Sequence, residues 1–357
     1  MNQKIDPKNA PAGVTAGLQP PVAALLARHG LARAAIEPLQ SDASARRYFR
    51  LPNDNLLLMD DRTDPESFRS YIAIARHLRA LGLSAPHVVG IDAATCIALI
   101  EDFGTQTYSN LLARGYDESA LYRLATDALI HLHRHPDATG ITLPEYSVDV
   151  LLDELEIFVD WFASGMMNED TLKTFRQTFR RLWNVALQPI VDAPRTLVLR
   201  DFHVDNLMLI NGRDGITACG ILDFQDAVIG AGEYDLVSLL QDARRDVPEE
   251  TETAMLARYI DLVPDGFGTP DDIRRRYYLL GAQRHARIIG VFIRLFVRDG
   301  KPGYLRFMPR VLRQLDKALA DAGLSDIAAC LHDYLPDWQL RGAARSAELL
   351  KTSGAAA

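Results

Sequence analysis

Three side chains with oxygen donors, in the middle part of the 357-residue chain, have types and spacing that suit a metal ion. Asp201 and Asn206 lie in a polar loop after the apolar run Leu197–Leu199, and Asp223 ends a later apolar run. Carboxylate and amide oxygens are the hard ligands that Mg²⁺ prefers, and Mg²⁺ usually completes its shell with water and substrate phosphates. These residues therefore predict a Mg²⁺ site used in phosphate chemistry.

A hairpin is needed to bring these side chains together, because Asp223 comes 22 positions after Asp201. The apolar runs Leu207–Ile210 and Ile221–Leu222 are predicted strands. Between them, Asn211–Gly215 contains both Asn-Gly and Asp-Gly, which are the strongest short-range hairpin signals. We therefore expect the hairpin to fold the second acid back toward the polar loop.

Composition is that of an ordinary soluble globular protein, with 48% hydrophobic and 24% charged residues. The formal net charge of −8 argues against a nucleic-acid partner but allows a locally basic pocket. The three cysteines are widely spaced and predict neither a disulfide framework nor a zinc site. No signal-like segment or run of ~18 apolar residues occurs, so we expect a cytoplasmic protein without a membrane partner, its oligomeric state left open.

The spacing of apolar residues predicts two lobes. Residues 20–104 contain about five short strands, which indicates an N-terminal nucleotide-binding lobe with an antiparallel sheet and a hinge at its end. Residues 105–350 are mainly helical and form the predicted catalytic and substrate lobe, in which residues 148–162 make one helix. A flexible tail is expected at residues 1–19 and a disordered one at 351–357. The prediction is an α+β fold with the two-lobed architecture of the protein kinases.

Three motifs, in order, resemble those of the aminoglycoside phosphotransferase family, which are relatives of the protein kinases. The family's H-G-D-x-H-x-x-N segment is matched by Leu199–Asn206, with Leu and Arg in place of the first His and the Gly. Its I-D-F and G-x-x-x-Y-D-L segments are matched by Leu222–Phe224 and Gly230–Leu236. The resemblance covers about residues 30–310 and implies a kinase-like fold that uses ATP and Mg²⁺.

Each polar residue of these motifs has an expected role in phosphate transfer. Asp201 would accept the proton of the attacking hydroxyl, and a turn-capping role is the alternative. Asn206 and Asp223 would hold Mg²⁺ against the nucleotide phosphates. Asp235, at a predicted helix start, is expected to cap the helix or to brace the loop.

A closer resemblance is to the AmgK-type anomeric kinases of bacterial cell-wall recycling, which phosphorylate the C1 hydroxyl of N-acetylmuramate and N-acetylglucosamine. It rests on Ser41–Arg50, Ile100–Gly104, Arg200–Met208, Ala282–His285 and Gly290–Leu295. The implied function is an ATP-dependent sugar 1-kinase of peptidoglycan recycling, with a small amino sugar as substrate. The alternatives are a family kinase of an aminoglycoside, choline or an amino alcohol, and a catalytically inactive kinase-like binding protein.

The residues expected to bind the nucleotide phosphates depart from the family's pattern. Met59 stands in place of the phosphate-pairing Lys, and Tyr71 stands in place of its Glu partner. A polar turn with backbone N–H groups, the arginines after it and the hinge are the expected replacements. Strand alternation puts Arg46 and Arg50 on one face and Arg47 on the other, and a solvated sheet edge is the alternative for each. The nucleotide-binding candidates are Ser41, Asp42, Ala43, Ser44, Arg46, Arg47, Glu101 and Phe103.

The acceptor pocket is expected in the helical lobe. Glu154 and Trp161 are seven positions apart on one predicted helix, so an acid and an indole would share a face suited to a sugar. Arg284 belongs to a basic stripe on a later helix that could meet a carboxylate. His203 could contact the substrate or buttress the loop. A solvated helix face and ordinary salt bridges are the alternatives for the helix acids and the arginines.

Overall fold

The structure is a computed structural model that describes residues 19–39 and 46–352. These residues form two compact units. The first contains the described residues of Met1–Thr107 together with Met208–Asp226, and the second contains Tyr108–Leu207 and the described residues from Ala227 onward. The lobe boundary at residue 104 stays a prediction. This division also places the predicted hairpin in the same unit as the N-terminal part of the chain.

The described residues contain nine strands and thirteen α-helices, numbered in chain order. The strands are β1 (Glu37–Pro38), β2 (Arg47–Leu51), β3 (Leu56–Asp60), β4 (Val88–Asp92), β5 (Ile97–Glu101), β6 (Arg195–Val198), β7 (Leu207–Leu209), β8 (Cys219–Ile221) and β9 (Val228–Ala231). The helices are α1 (Pro20–Arg28), α2 (Pro65–Ala80), α3 (Tyr108–Ala113), α4 (Glu118–Arg134), α5 (Val148–Ile157), α6 (Glu169–Ala186), α7 (Gln188–Val191), α8 (Glu233–Leu240), α9 (Glu249–Leu262), α10 (Pro270–Val297), α11 (Met308–Asp321), α12 (Ser325–Tyr334) and α13 (Trp338–Thr352).

An antiparallel five-stranded sheet forms the centre of the first unit, with strand order β1-β2-β3-β5-β4. Helix α1 covers one part of it because its apolar stripe is buried against strand residues in a single core. The members of that core are Val22, Leu25, Leu26, Leu51, Leu58, Ile97 and Leu99. The predicted α+β class with an N-terminal antiparallel sheet is confirmed.

The predicted hairpin is also confirmed, since β7 and β8 form a two-stranded sheet. Its turn uses two glycines with positive φ, Gly212 at 78° and Gly215 at 53°, a conformation that glycine adopts without a steric penalty. The hairpin is attached to the rest of the first unit by backbone hydrogen bonds. The Ile221 amide donates to Ser84 at 2.8 Å and the Leu209 amide donates to Gln106 at 2.9 Å.

In the second unit, the pairing of β6 with β9 positions the polar loop. These strands are antiparallel, and Val198 at the end of β6 faces Val228 at the start of β9. The loop follows β6 directly, and α8 begins two residues after β9. Every residue of α8 is buried, including its two acids. The loop and the start of α8 are therefore fixed by one short sheet.

Helix α10 is the longest element of the second unit, at 28 residues. A capping box starts it: Thr269 accepts from the Asp272 amide, and the Asp272 side chain accepts from the Thr269 amide. Along its length α10 packs against α5, α8 and α11. None of the helices in residues 19–39 and 46–352 combines the length and apolar character needed to cross a membrane.

The helix predicted at residues 148–162 differs in one respect. The α-helix ends at Ile157, and Phe158–Phe162 forms a π-helical turn. Gly290 of α10 lies so close to this junction that a Cβ there would clash with the Ile157 carbonyl oxygen. The seven-residue spacing rule behind the shared face of Glu154 and Trp161 assumes a continuous α-helix, so it does not apply across this turn.

Candidate active site

The polar loop of the second unit closes on itself around Asp201. The Asp201 amide donates to the Leu199 carbonyl at 2.9 Å, and the Asp201 carbonyl accepts from the His203 amide at 3.1 Å. The Asn206 side chain reaches back, with Nδ2 donating to the same carbonyl at 3.0 Å. Because the nitrogen of this amide is engaged by the loop, its oxygen is the end suited to a cation. Asp201 and Asn206 are brought together as predicted.

Arg200 gives this loop its shape. Its φ is +70°, in the left-handed region that costs a non-glycine residue roughly 1–2 kcal/mol. The family motif has Gly at this position, the residue that adopts positive φ without steric cost, and here Arg adopts it. Its carbonyl accepts from Ser238 Oγ at 3.2 Å and from Arg284 at 3.3 Å, and its guanidinium pairs with Glu154. The surrounding contacts therefore hold the strained conformation.

Asp235 braces the loop from the first turn of α8, as one of its two predicted roles required. Its Oδ2 accepts from the Leu199 amide at 2.6 Å and its Oδ1 from the Arg200 amide at 2.8 Å. The residue is 0% exposed. Burial raises the pKa of Asp235 to about 7, and the two amide hydrogen bonds act against that rise because they favour the carboxylate.

Three arginines set the charge around Asp201. Burial alone would raise the pKa of Asp201, but the charges of Arg284, Arg287 and Arg244 outweigh it, so the pKa lies below its ordinary value. The side chain is therefore a carboxylate at neutral pH, which is the form that accepts a proton. Arg284 itself is 4% exposed and also donates to Tyr234 Oη at 3.0 Å.

His203 lies inside the loop, with 3% of its surface exposed. Burial lowers its pKa to about 3, with the Arg244 charge acting in the same direction, so the ring is neutral. Its Nε2 lies 3.1 Å from an Arg244 guanidinium nitrogen and 3.3 Å from Asn206 Nδ2. Both neighbours are donors, so Nε2 accepts. These contacts are those of a buttress, and direct contact of His203 with a substrate stays a prediction.

Glu154 takes part in a cluster of cations and a phenol. It accepts from Tyr146 Oη at 2.6 Å, pairs with Arg200, and lies 3.3 Å from Arg287 Nε. Three partners from three segments thus already engage the acid that the sequence suggested for sugar hydroxyls. Its role toward a substrate, and that of the half-buried Trp161, stay predictions.

Asp223 lies in the first unit and also has a left-handed backbone, with φ at +58°. Its Oδ1 accepts from Gln225 Nε2 at 3.0 Å, and Gln225 Oε1 accepts from Arg46 at 2.9 Å. The ring of Phe224 stacks on Tyr71 with 4.9 Å between centroids. A side-chain bridge therefore orients the exposed Asp223 carboxylate, and an aromatic contact anchors the residue after it.

Arg46 is the buried end of that bridge. It is 4% exposed and donates to Asp61 at 2.9 Å and to Ser67 Oγ at 2.6 Å. Its guanidinium lies 5.1 Å from the ring centroid of Tyr71, the residue at the position of the missing Glu. Met59, at the position of the missing Lys, is 0% exposed and belongs to the sheet core. In this unit, a cation from the residue directly before β2 thus links the end of β3, helix α2 and the segment that carries Asp223.

The other nucleotide candidates are distributed unevenly. Ser41, Asp42, Ala43 and Ser44 lie outside the described residues. Arg47 points away from Arg46, as strand alternation predicts: it is 59% exposed and pairs with Asp60 at 2.8 Å. The Glu101 carboxylate pairs with Arg213, whose guanidinium lies 5.4 Å from the ring centroid of Phe103. Nucleotide contacts of these residues stay predictions.

Sequence reasoning missed some of the supporting residues. Arg244 adds to the charge at Asp201, and Gln225 and Asp61 complete the bridge to Asp223. Arg287, which also acts on Asp201, belongs to the basic stripe that the sequence predicts. Gln225 had a signal, since it directly follows the Asp-Phe pair of the second motif. Asp61 directly follows a strand and could have been read as its polar end. Arg244 acts on Asp201 from 43 positions away and Gln225 binds Arg46 from 179 positions away, so no local pattern indicates these two contacts.

The fold and the loop together define a phosphotransferase of the kinase-like class. The model of the APH phosphotransferase enzyme family matches residues 35–279, which is more than half of the chain, and the chain belongs to this family. A curated relative from Caulobacter vibrioides, an N-acetylmuramate/N-acetylglucosamine kinase, is 34% identical, over 88% of this chain and 96% of its own length.

Two solved structures show the same fold at low identity. One is a choline/ethanolamine kinase family protein from Mesorhizobium loti, with a TM-score of 0.58 and 16% identity, covering 87% of this chain and 97% of its own. The other is the streptomycin–ATP–APH(2″)-IIa ternary complex, with a TM-score of 0.57 and 16% identity, covering 85% of this chain and 97% of its own.

Proposed function

We propose that this protein is a cytoplasmic ATP- and Mg²⁺-dependent kinase that phosphorylates the C1 hydroxyl of N-acetylmuramate and N-acetylglucosamine in peptidoglycan recycling. The observation that carries the proposal is the 34% identity, over nearly the whole of both chains, to a kinase of those two sugars. The ATP-bound complex among the structures of the same fold supports the choice of nucleotide.

Asp201 is the proposed base. Its carboxylate form at neutral pH, fixed by a self-closed loop, suits it to take the proton of a sugar hydroxyl as that oxygen attacks the γ-phosphorus. The hydroxyl oxygen forms a bond to phosphorus, the bond from phosphorus to the bridging oxygen of ADP breaks, and the proton passes to Asp201. Arg284 and His203 are proposed to hold the loop and the charge of Asp201 in place during this step.

Asn206 and Asp223 are the proposed Mg²⁺ ligands, and their donor chemistry fits. Both offer hard oxygens, the Asn206 amide is oriented by its bond to the Asp201 carbonyl, and Asp223 is exposed. Within residues 19–39 and 46–352, no group of three or more His, Cys, Asp or Glu side chains could hold a metal. The ion would therefore depend on nucleotide phosphates for much of its shell. When bound, Mg²⁺ neutralises phosphate charge.

On the nucleotide side, we propose Arg46 as the residue that takes over the bracing role of the missing Lys–Glu pair. Its bonds to Asp61, Ser67 and Gln225 support this role. The polar turn, residues 41–44, is the proposed phosphate cradle. Arg47, Glu101 and Phe103 are kept as proposed nucleotide neighbours.

The charge around Asp201 supports an acceptor that is not a cation. A cationic acceptor such as an aminoglycoside or choline would need acids close to the reacting hydroxyl. The carboxylate of Asp201 is instead surrounded by Arg284, Arg287 and Arg244. Glu154, which lies 3.3 Å from Arg287, is already engaged by two arginines and Tyr146.

An acceptor screen tests the proposal. We expect the protein to release ADP from ATP and Mg²⁺ with N-acetylmuramate and N-acetylglucosamine, and the product to carry phosphate at C1 by phosphorus NMR. Asp201→Asn should abolish turnover with both sugars and leave nucleotide binding intact. Turnover of an aminoglycoside, choline or an amino alcohol, with neither N-acetyl sugar accepted, would refute the proposed acceptor.

A further inference from the structure

Three arginines act on the charge of Asp201, and they differ in what else they bind. Arg284 is 4% exposed, and its guanidinium already donates to a phenol, a hydroxyl and a backbone carbonyl. Arg287 lies 3.3 Å from Glu154, whose largely buried carboxylate balances its charge. Arg244 makes no ion pair with a buried acid in the described part of the chain. It is therefore the cation near the proposed base that has binding capacity left.

The guanidinium of Arg244 is only partly used by the protein. Its Nη1 donates to His203 Nε2 at 3.1 Å, and its Nε lies 3.7 Å from Asp205, an acid whose side chain is 43% exposed. Its Nη2 has no hydrogen bond to residues 19–39 and 46–352, and the side chain is 29% exposed. Water screens the charge of an exposed acid, so Asp205 balances Arg244 weakly.

His203 holds this cation beside the catalytic loop. The Nε2 atom that accepts from Arg244 also lies 3.3 Å from Nδ2 of Asn206, the proposed Mg²⁺ ligand. The His203 amide donates to the Asp201 carbonyl at 3.1 Å. Because the ring is buried and neutral, it accepts from the guanidinium without competing for its charge. A cation, a proposed metal ligand and the proposed base thus lie around one imidazole.

The backbone of Arg244 is fixed as well. Its amide donates at 2.8 Å to the side chain of Asp242, a buried residue just beyond the end of α8. The Asp242 carbonyl accepts from Gln314 Nε2 of α11 at 3.1 Å. Helix α8 therefore positions the loop through Asp235 in its first turn and Arg244 through the segment after its last turn. Donors that are fixed in advance do not have to reorganise during a reaction.

We propose that Arg244 binds the γ-phosphate of the nucleotide and stabilises its charge while it is transferred to the acceptor. The inference rests on the proposed function, in which this phosphate meets the sugar hydroxyl at Asp201 and the metal at Asn206. The phosphate-pairing Lys of the family is absent, and buried Met59 takes its position. An arginine of the second unit would supply part of the missing positive charge, and a guanidinium offers two donors to phosphate oxygens.

The exchange of atoms stays that of the proposed function. The hydroxyl oxygen bonds to phosphorus, the bond from phosphorus to the bridging oxygen of ADP breaks, and the proton passes to Asp201. Arg244 donates hydrogen bonds to the non-bridging oxygens before and during this step. It keeps all of its protons, since an arginine stays charged in proteins. Its role is therefore electrostatic, and it is the same for every acceptor.

The test uses one variant with two sugars and two nucleotides. Arg244→Gln should lower kcat on the order of 10²- to 10³-fold with both N-acetylmuramate and N-acetylglucosamine, with the KM of each sugar unchanged. Calorimetry reports binding without turnover. With Mg²⁺, affinity for the non-hydrolysable ATP analogue adenylyl imidodiphosphate should fall about 10- to 100-fold, and affinity for ADP, which lacks the γ-phosphate, should change less than about twofold. Arg244→Lys should restore part of both losses because the charge returns.

The matched control is Arg245→Gln. Arg245 is the next residue of the same segment, its side chain is 33% exposed, and it pairs with Glu118 of α4. Its loss removes one positive charge from the same segment and no contact to His203 or Asp205. We expect kcat and the affinities for both nucleotides to stay close to the wild-type values.

The outcomes separate this inference from the function on which it rests. If the wild type phosphorylates neither sugar, the proposed function fails, and the two affinities still decide whether Arg244 meets a γ-phosphate. A rise in KM for N-acetylmuramate alone would assign Arg244 to the carboxylate of that sugar and refute the inference. Equal losses of affinity for the analogue and ADP, no loss for either, or an unchanged kcat would refute it as well. Circular dichroism shows whether the variant is folded.

Discussion

The two segments that carry the candidate catalytic oxygens each contain a residue with a left-handed backbone and are each braced by a buried charged residue, but the two bracing residues have opposite charges. In the second unit, the Asp235 carboxylate accepts from two consecutive amides and holds Arg200 at φ +70°. In the first unit, the Arg46 guanidinium donates to Gln225, which donates to Asp223 at φ +58°. One bracing residue is a buried anion and the other is a buried cation.

Asp235 and Arg46 therefore control different properties of the candidate site. Asp235 binds backbone groups, so it fixes the path of the chain that leads to Asp201 and acts on the base through its position. Arg46 acts through a chain of side chains, so it fixes the orientation of the Asp223 carboxylate rather than its backbone. Loss of the first should reduce the rate of the chemical step, and loss of the second should weaken binding of metal and nucleotide.

The largest effect is expected for Asp235→Asn. An amide cannot accept through both of its ends, so one of the two buried N–H groups loses its partner, at a cost of about 1–3 kcal/mol in the free energy of unfolding. Displacement of Asp201 should lower kcat on the order of 10²-fold, with KM for ATP unchanged. Thermal unfolding and steady-state kinetics measure the two effects.

Asp205→Asn is the matched control, because Asp205 is an exposed acid of the same loop, 3.7 Å from Arg244. It should leave both the melting temperature and kcat close to the wild-type values. If the Asp235→Asn enzyme kept its kcat and lost affinity for ATP instead, Asp235 would support nucleotide binding rather than the chemical step, which contradicts the prediction.

A smaller effect is expected for Arg46→Lys, tested beside Arg47→Lys. Lysine keeps the charge near Asp61 but cannot reach Asp61, Ser67 and Gln225 together, since it lacks the guanidinium fork. The Mg²⁺ concentration for half-maximal rate should rise about tenfold, the lower end of what loss of a residue supporting a metal ligand costs. Arg47→Lys should change it little, because Arg47 makes none of the bridge contacts to Asp223 and lysine keeps the positive charge of this 59% exposed side chain. Equal effects in both variants would refute the role of Arg46 in orienting Asp223 through Gln225.

The smallest effect is expected from a comparison of Arg200→Gly with Arg200→Ala. Both variants lose the ion pair with Glu154, and they differ only in the Cβ that is strained at φ +70°. The Gly variant should be the more stable one, by about 1 kcal/mol. At Arg181, an exposed position inside α6, the order should be the reverse, because glycine destabilises a helix. Chemical denaturation of the four variants measures the difference, and the same order at both positions would exclude backbone strain at Arg200.

The parts of the fold that local patterns control could be predicted from the sequence. The turn Asn211–Gly215 indicated the hairpin because Asn-Gly and Asp-Gly limit the backbone by themselves, and alternation placed Arg46 and Arg47 on opposite faces of β2. The short spacing between Asp201 and Asn206 allowed their loop to be recognised as one unit.

The parts that depend on distant contacts could not be predicted. The π-helical turn after Ile157 adjoins Gly290, 133 positions away, so no pattern within the helix indicates it. The ion pairs of Glu154 with Arg200 and Arg287 could not be predicted either, because these arginines come from other segments of the chain.

The hairpin that joins the first unit from far along the chain has a consequence for the order of events during synthesis. The first unit needs Met208–Asp226, and Asp226 comes 119 positions after Thr107. At the usual rate of translation, these residues take on the order of 10 s to emerge. During that interval the N-terminal sheet lacks the strand pair that leads to Asp223, so Tyr108–Leu207, which is less than half of the second unit, is synthesised before the first unit is complete.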